Sequence, residues 1–260
     1  MAGSSSDCNP DQRQRPLIWL CREGQRDTPG FPDWLTDYER QTAAKFSGPR
    51  KREYLSSRWL IRQAIAGASG QEAARCKPVN GRPVASAAPV GWQLSLSHSH
   101  GVSACAISPG HRIGLDIEPC TRHPHWQRVA RRWFSPQEQA WLLAEDNPQT
   151  FLTVWTLKEA WLKATGRGIA GNLQTLEVGP GFELQGDQSE PDWRADCWNV
   201  EGFLVTLVYR QTDLAPPALW RLESPPDDFG LVQAEESNGA EPPMWRRRIA
   251  PKSGYSEEQN

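Results

Sequence analysis

Between Asn147-Pro148, a helix-start signal, and Gly166, a helix stop, the chain carries Phe151, Leu152, Val154, Trp155, Leu157, Trp161 and Leu162. A helix over 148–165 is therefore apolar nearly all round, and such a helix is mostly buried. The same stretch holds Lys158, Glu159 and Lys163. Glu159 and Lys163 are four residues apart, hence on one face, and on a surface such a pair contributes only a few tenths of a kcal/mol. In a buried helix, however, a glutamate needs partners, so Glu159 marks a candidate site.

A second constellation is Gly114-Leu115-Asp116-Ile117-Glu118-Pro119. In a strand, Leu115 and Ile117 point one way and Asp116 and Glu118 the other. Two carboxylates on one face repel. A hard divalent cation would offset that, and an edge strand with a solvated acidic face would also accommodate it. Leu96-Ser97-His98-Ser99 offers several donors suited to a phosphate, although a lone histidine is usually a packing or surface residue. Between Arg40 and Arg62 stand seven basic residues (Arg40, Lys45, Arg50, Lys51, Arg52, Arg58, Arg62) and one acid, Glu53. This is either a solvated helix face or a polyphosphate grip built on the arginine fork.

Around these motifs the chain reads as helices alternating with short strands. Residues 1–15 are polar and expected to be disordered. Leu17–Cys21 predicts a strand, and 33–47 and about 50–65 predict helices, with Gly67 and Gly70 ending the second. Asn80-Gly81-Arg82-Pro83 is a turn. Alternation over 92–97, with 102–107 and 113–117 following across short turns, predicts an antiparallel meander. Ser135-Pro136-Gln137-Glu138 carries a capping box. Strands are predicted at 174–178, 193–200 and 203–210. The order of helix then strands thus appears twice, which suggests an α+β chain of two similar halves, 16–119 and 120–215. From 216 to 260 the chain is rich in Pro, Glu, Asp and Ser and is expected to be a poorly ordered tail.

Composition limits the function classes. The 260 residues hold 29 Lys+Arg and 31 Asp+Glu, which argues against a dedicated nucleic-acid binder. No run of about 18 apolar residues exists to cross a membrane, and Met1–Pro16 has no apolar stretch of a secretory signal. The six cysteines, Cys8, Cys21, Cys76, Cys105, Cys120 and Cys197, form no CxxC motif. Reduced thiols in a cytoplasmic protein are the expectation.

Taken together, Gly-Leu-Asp-Ile-Glu at 114–118 and Trp-Thr-Leu-Lys-Glu-Ala-Trp-Leu-Lys at 155–163 resemble the two signature motifs of the Sfp-type 4'-phosphopantetheinyl transferases. Ser97-His98-Ser99 resembles that family's Ser-His-Ser turn, and Gly81-Arg82-Pro83 its Gly-Lys-Pro turn with Arg82 for Lys. The resemblance spans roughly 17–210 and does not reach the tail.

The resemblance implies two α+β halves related by pseudo-twofold symmetry, with coenzyme A between them, in a monomer. It implies transfer of the phosphopantetheine arm of coenzyme A to a serine of an apo acyl or peptidyl carrier protein, with release of 3',5'-ADP. Mg²⁺, or Mn²⁺, would be held by Asp116, Glu118 and Glu159. Glu159 would be the base, directly or through metal-bound water, and Lys158 and Lys163 would bind the pyrophosphate. Arg82, Ser97 and His98 would meet the coenzyme's phosphates, with Arg50, Lys51, Arg52 or Arg58 on the 3'-phosphate. Carrier proteins are acidic, so a basic patch at Arg128, Arg131 and Arg132, with Trp126 and Trp133, would dock them. Two other readings use the same residues: a metal-dependent nucleotide pyrophosphate phosphoesterase, and a non-catalytic nucleotide- or nucleic-acid-binding protein.

Overall fold

The computed structural model describes residues 15–24, 30–122, 125–210, 215–231 and 242–252. In chain order, strand β1 (Leu17–Arg22) is followed by helices α1 (Asp37–Ala43) and α2 (Gly48–Ser69). Two short strands, β2 (Lys77–Pro78) and β3 (Ser86–Ala88), then lead to the hairpin β4 (Trp92–Ser99) and β5 (Val102–Pro109). Next come β6 (Ile113–Pro119) and helices α3 (Trp126–Trp133), α4 (Pro136–Glu145) and α5 (Pro148–Ala164). Strands β7 (Leu176–Val178), β8 (Leu184–Gly186), β9 (Trp193–Val200), β10 (Phe203–Arg210), β11 (Ala218–Leu222) and β12 (Trp245–Pro251) follow. The expected disordered segment 1–15 lies outside the described residues except for Arg15.

The helix starts follow from local chemistry. Thr36 and Ser135 each accept the N–H three residues on, and Glu39 and Glu138 reach back to the cap N–H, so both ends carry a closed capping box. Asn147 caps α5 by accepting from Gln149 and Thr150. Gly70, at φ 71°, ends α2 in the left-handed conformation, whereas Gly67 lies inside that helix and does not end it.

Besides the two-stranded β2-β3, two main sheets form among the described residues, ordered β11-β1-β5-β4 and β6-β10-β9-β12-β8-β7. Their inner faces meet in one core built from Ile18, Leu20, Ala104, Leu115, Ile117, Val205 and Leu207. α2 covers the outer face of the first sheet and α5 that of the second. The layers run helix, sheet, sheet, helix, in an α+β fold. No helix among the described residues is long and apolar enough to cross a membrane.

The structure corrects three expectations of organisation. The meander stops after β5, because β6 pairs with β10 in the other sheet. With that strand assigned, strand, helix and hairpin occur twice, as β1-α2-β4-β5 and β6-α5-β9-β10, and in each the first strand lies antiparallel to the second hairpin strand. The second unit thus begins at Ile113 rather than at residue 120. The third correction concerns 216–260, whose described parts are not a loose tail. β11 runs parallel to β1, with Trp220 stacked on Trp19 at 5.9 Å. β12 pairs with β9 and β8, buries Ile249, and sets Arg246 on the buried Asp196 at 2.6 Å. Short strands with outward polar side chains give a composition that resembles disorder.

Candidate active site

β4 and β6 are edge strands of different sheets, and they meet side by side without sharing a backbone ladder. Three serines on one face of β4 stitch the seam. The Leu115 N–H donates to Ser95 Oγ at 2.9 Å, Ser97 Oγ donates to Asp116 Oδ1 at 2.9 Å, and Ser99 Oγ donates to Glu118 Oε2 at 2.8 Å. The polar side of this alternating strand therefore faces a second strand, and Ser95 and Ser97 are buried. Ser97 and Ser99, read from sequence as phosphate donors in a turn, belong to strand β4 and already hold the two carboxylates.

α5 crosses β6 at Gly114. A side chain there is impossible without movement, since a Cβ would stand 1.9 Å from the Ala160 carbonyl oxygen and 2.4 Å from the Ala164 nitrogen. This close approach brings Glu159 and Lys163 to the β6 carboxylates. Lys163 Nζ donates to Asp116 Oδ1 at 2.8 Å, to the Leu115 carbonyl at 2.8 Å and to Ser97 Oγ at 3.0 Å. A buried hydroxyl contact between Thr156 and Thr206, at 2.8 Å, fixes the helix on β10. The resulting cleft of about 350 Å³ is lined by Leu96, Ser97, His98, Asp116, Glu118, Arg122, Trp155, Glu159 and Lys163.

The acids differ in electrostatics. Burial raises Asp116 above the usual carboxylate range, and Glu118 adds to this, while Lys163 and Ser97 pull the other way. Glu159 is pushed up to about 7, chiefly by burial and then by the Asp116 charge. A carboxyl poised there can hold or release a proton near neutrality. Glu118 is ion-paired with Arg122. Partial burial, followed by the nearby Arg50 charge, holds His98 below the usual imidazole range.

The donor set suits a divalent cation. Asp116 Oδ2 is buried with no hydrogen-bond partner among the described residues, and two more carboxylates line the same cleft. They are not a closed cluster: among the described residues, no three acidic, histidine or cysteine side chains stand as a ready-made metal group. Glu118 is engaged by Arg122 and Ser99.

Several residues assigned from sequence fall elsewhere. Lys158 is fully buried, paired with Glu138 at 2.6 Å and donating to the carbonyls of Leu173 and Leu176. It does not reach the cleft, because a neighbour of Glu159 in a helix points about 100° away. Arg58 is buried under α1, with its guanidinium over the Tyr54 ring at 4.6 Å and Glu39 at 3.9 Å. Arg82 is exposed on its turn and is not a cleft residue. Arg50 is exposed and pairs with Glu53, which also stands 3.4 Å from His98 Nε2. Lys51 lies over the Phe31 ring at 4.5 Å, and Arg52 sits in the same first turns of α2. On α3, Arg128, Arg131 and Arg132 are exposed and Trp133 is half-buried, but Trp126 packs into the core against Phe151. Sequence reasoning overlooked Arg122 and Trp155 as cleft residues. Arg122 is four residues after Glu118, and a turn closed by the Arg122 N–H on the Pro119 carbonyl at 2.9 Å folds it back.

A family model described as the 4'-phosphopantetheinyl transferase superfamily matches residues 112–208, from the turn before β6 almost to the end of β10. A Synechocystis protein, slr0495, provisionally named a 4'-phosphopantetheinyl transferase, is 30% identical over 187 residues, covering 68% of this chain and 75% of that one. The 4'-phosphopantetheinyl transferase HetI of Nostoc is 32% identical over 153 residues, covering 55% of this chain and 64% of HetI. The 4'-phosphopantetheinyl transferase Sfp of Bacillus subtilis is 30% identical over 146 residues, covering 55% and 61%. With both signature segments meeting across one cleft, the chain belongs to the 4'-phosphopantetheinyl transferase superfamily.

Proposed function

We propose that this protein moves the 4'-phosphopantetheine arm of coenzyme A onto a serine of an apo acyl or peptidyl carrier protein, releasing 3',5'-ADP. The observation that carries the reading is the convergence of Asp116, Glu118, Glu159 and Lys163, from two distant segments, on one cleft. In the reaction the carrier serine Oγ forms a bond to the phosphorus bearing the pantetheine arm. The bond from that phosphorus to the bridging oxygen breaks, and the electron pair leaves on 3',5'-ADP. Glu159 takes the serine proton; its value of about 7 is that of the cation-free cleft, and a bound cation would lower it. Lys163, held by three acceptors at the cleft wall, faces the charge that grows on the leaving phosphate. Mg²⁺ held by Asp116, Glu118 and Glu159 would supply charge neutralisation and orientation of the diphosphate. His98, on the cleft wall, and Arg50, whose partner Glu53 stands 3.4 Å from His98, suit the 3'-phosphate. The carrier approaches along α3, whose Arg128, Arg131 and Arg132 match an acidic surface.

Incubation of apo carrier proteins with coenzyme A and Mg²⁺, followed by mass spectrometry, should show the phosphopantetheine increment. Rapid 3',5'-ADP release with no carrier present would instead mean hydrolysis and overturn the reading. Reversing the three α3 arginines to glutamate should raise KM for the carrier and leave coenzyme A affinity unchanged; equal loss of both would remove α3 as the docking element.

A further inference from the structure

Among the described residues, two cations line the cleft against three acids, and they are held in different ways. Lys163 is fixed by a carboxylate, a hydroxyl and a backbone carbonyl, with its side chain 20% exposed. It cannot turn away without stranding the Leu115 carbonyl. Arg122 sits on the turn after β6, is 42% exposed, and has Glu118 as its ion-pair partner. Glu118 Oε2 takes the Ser99 hydroxyl while Oε1 takes Arg122. The cleft therefore holds one anchored cation and one able to re-aim.

We infer that Arg122 is a substrate-contacting residue, parked on Glu118 in the free enzyme and transferred to the diphosphate of coenzyme A when that carboxylate turns to a divalent cation. The inference rests on the transferase reading. An anionic diphosphate entering a cleft with three carboxylates needs cationic donors beyond Lys163. The guanidinium fork offers two parallel hydrogen bonds to phosphate oxygens. Exchange of one anionic partner for another keeps the charge paired throughout, so the move has no intermediate with an isolated arginine.

The test is calorimetric binding of coenzyme A and of 3',5'-ADP to the full chain, without carrier, for wild type, Arg122→Ala and Arg122→Lys. Mn²⁺ affinity is followed in parallel by electron paramagnetic resonance. Arg122→Ala should weaken coenzyme A binding about tenfold, the size expected for a lost charge-assisted hydrogen bond, and Arg122→Lys should recover part of it. In the absence of nucleotide, Arg122→Ala should bind Mn²⁺ more tightly, because Glu118 loses its competitor. Unchanged coenzyme A affinity in Arg122→Ala, with Mn²⁺ affinity altered, would make Arg122 only a tether for Glu118 and overturn the inference. A shift in carrier KM with no shift in coenzyme A binding would also overturn it. Absence of coenzyme A binding by wild type would instead defeat the transferase reading beneath it.

Discussion

The two units share one frame and fill it differently. Across the sheets, Arg22 opposes Val102 as Pro119 opposes Phe203, so Trp19 corresponds to Asp116 and Cys21 to Glu118. On the covering helices, Arg62 binds the capping-box Glu39 at 2.6 Å, and Lys158 binds the capping-box Glu138 at 2.6 Å. Counting from those cations, Gln63 corresponds to Glu159 and Gly67 to Lys163. The contacts agree: the Trp19 ring lies against Gly67, where Lys163 lies against Asp116. The first unit closes its strand–helix junction with an indole on a glycine. The second opens the same junction and lines it with charge. Chemistry thus needed few changes to a stable frame, and the first unit lends the cleft Leu96, His98 and the serine row of β4.

Chemistry and framework separate most directly at the paired positions. Asp116→Asn should lower the transfer rate at least about a hundredfold with the fold intact. Trp19→Ala should lower stability by about 3–5 kcal/mol while the folded fraction keeps its kcat. Kinetics at a temperature where both variants are folded decide the matter, and a parallel loss of kcat in Trp19→Ala would mean that the junctions are not separable. The buried ion pairs come next. Lys158→Met leaves the buried Glu138 without its cation, at a cost of about 3–5 kcal/mol in urea unfolding, whereas Arg62→Met should cost less because Arg58 still stands 3.9 Å from Glu39. If Lys158→Met instead weakened coenzyme A binding with stability unchanged, the sequence-based role for Lys158 would return.

The helix crossings sharpen the contrast at smaller scale. At Gly114 an added methyl meets backbone, the Ala160 oxygen at 1.9 Å; at Gly67 it meets the Trp19 side chain at 2.5 Å. Gly114→Ala should therefore cost about 1–3 kcal/mol and also reduce kcat, because α5 carries Glu159 and Lys163 away from β6. Gly67→Ala should cost less, because an indole can shift, and should leave kcat alone. Equal effects on activity would show that α5 need not lie close on β6.

Legibility in the sequence followed the range of each interaction. The capping boxes at Thr36 and Ser135, the Asn147 start and most strands depend on neighbours within four residues, so local pattern shows them. The 116, 118, 159 and 163 grouping was accessible through the buried character of α5 and through resemblance. The seam was not, since alternation at Leu94–Ser97 says which residues share a face but not that the polar face meets another strand. Nor could the sequence show that β6 leaves its neighbours for β10, which sets the unit boundary at Ile113. Lys158 shows the cost of treating adjacent residues in a helix as one site: a single step along α5 separates the cleft from the core. β11 and β12 were hidden by polar composition, although each needs only one or two buried residues to pair.

The smallest predicted change in stability concerns the group where the units differ by one atom type. Glu159→Gln gives the second unit the residue of the first, Gln63. In the folded protein Glu159 titrates near 7, well above its ordinary 4.5. The native state therefore holds more protons than the unfolded chain between those values, and the stability this supplies is fully present below about 4.5 and lost as pH rises through about 7. The neutral amide does not lose it. In chelator, where no cation competes, Glu159→Gln should match wild type in Tm at pH 5 and exceed it by a few degrees at pH 8, while transfer is lost at both. A Tm gain equal at the two pH values would mean that the amide packs better for reasons unrelated to charge. A Tm gain confined to alkaline pH identifies Glu159 as a carboxylate kept at the expense of stability, the usual sign of a group retained for chemistry.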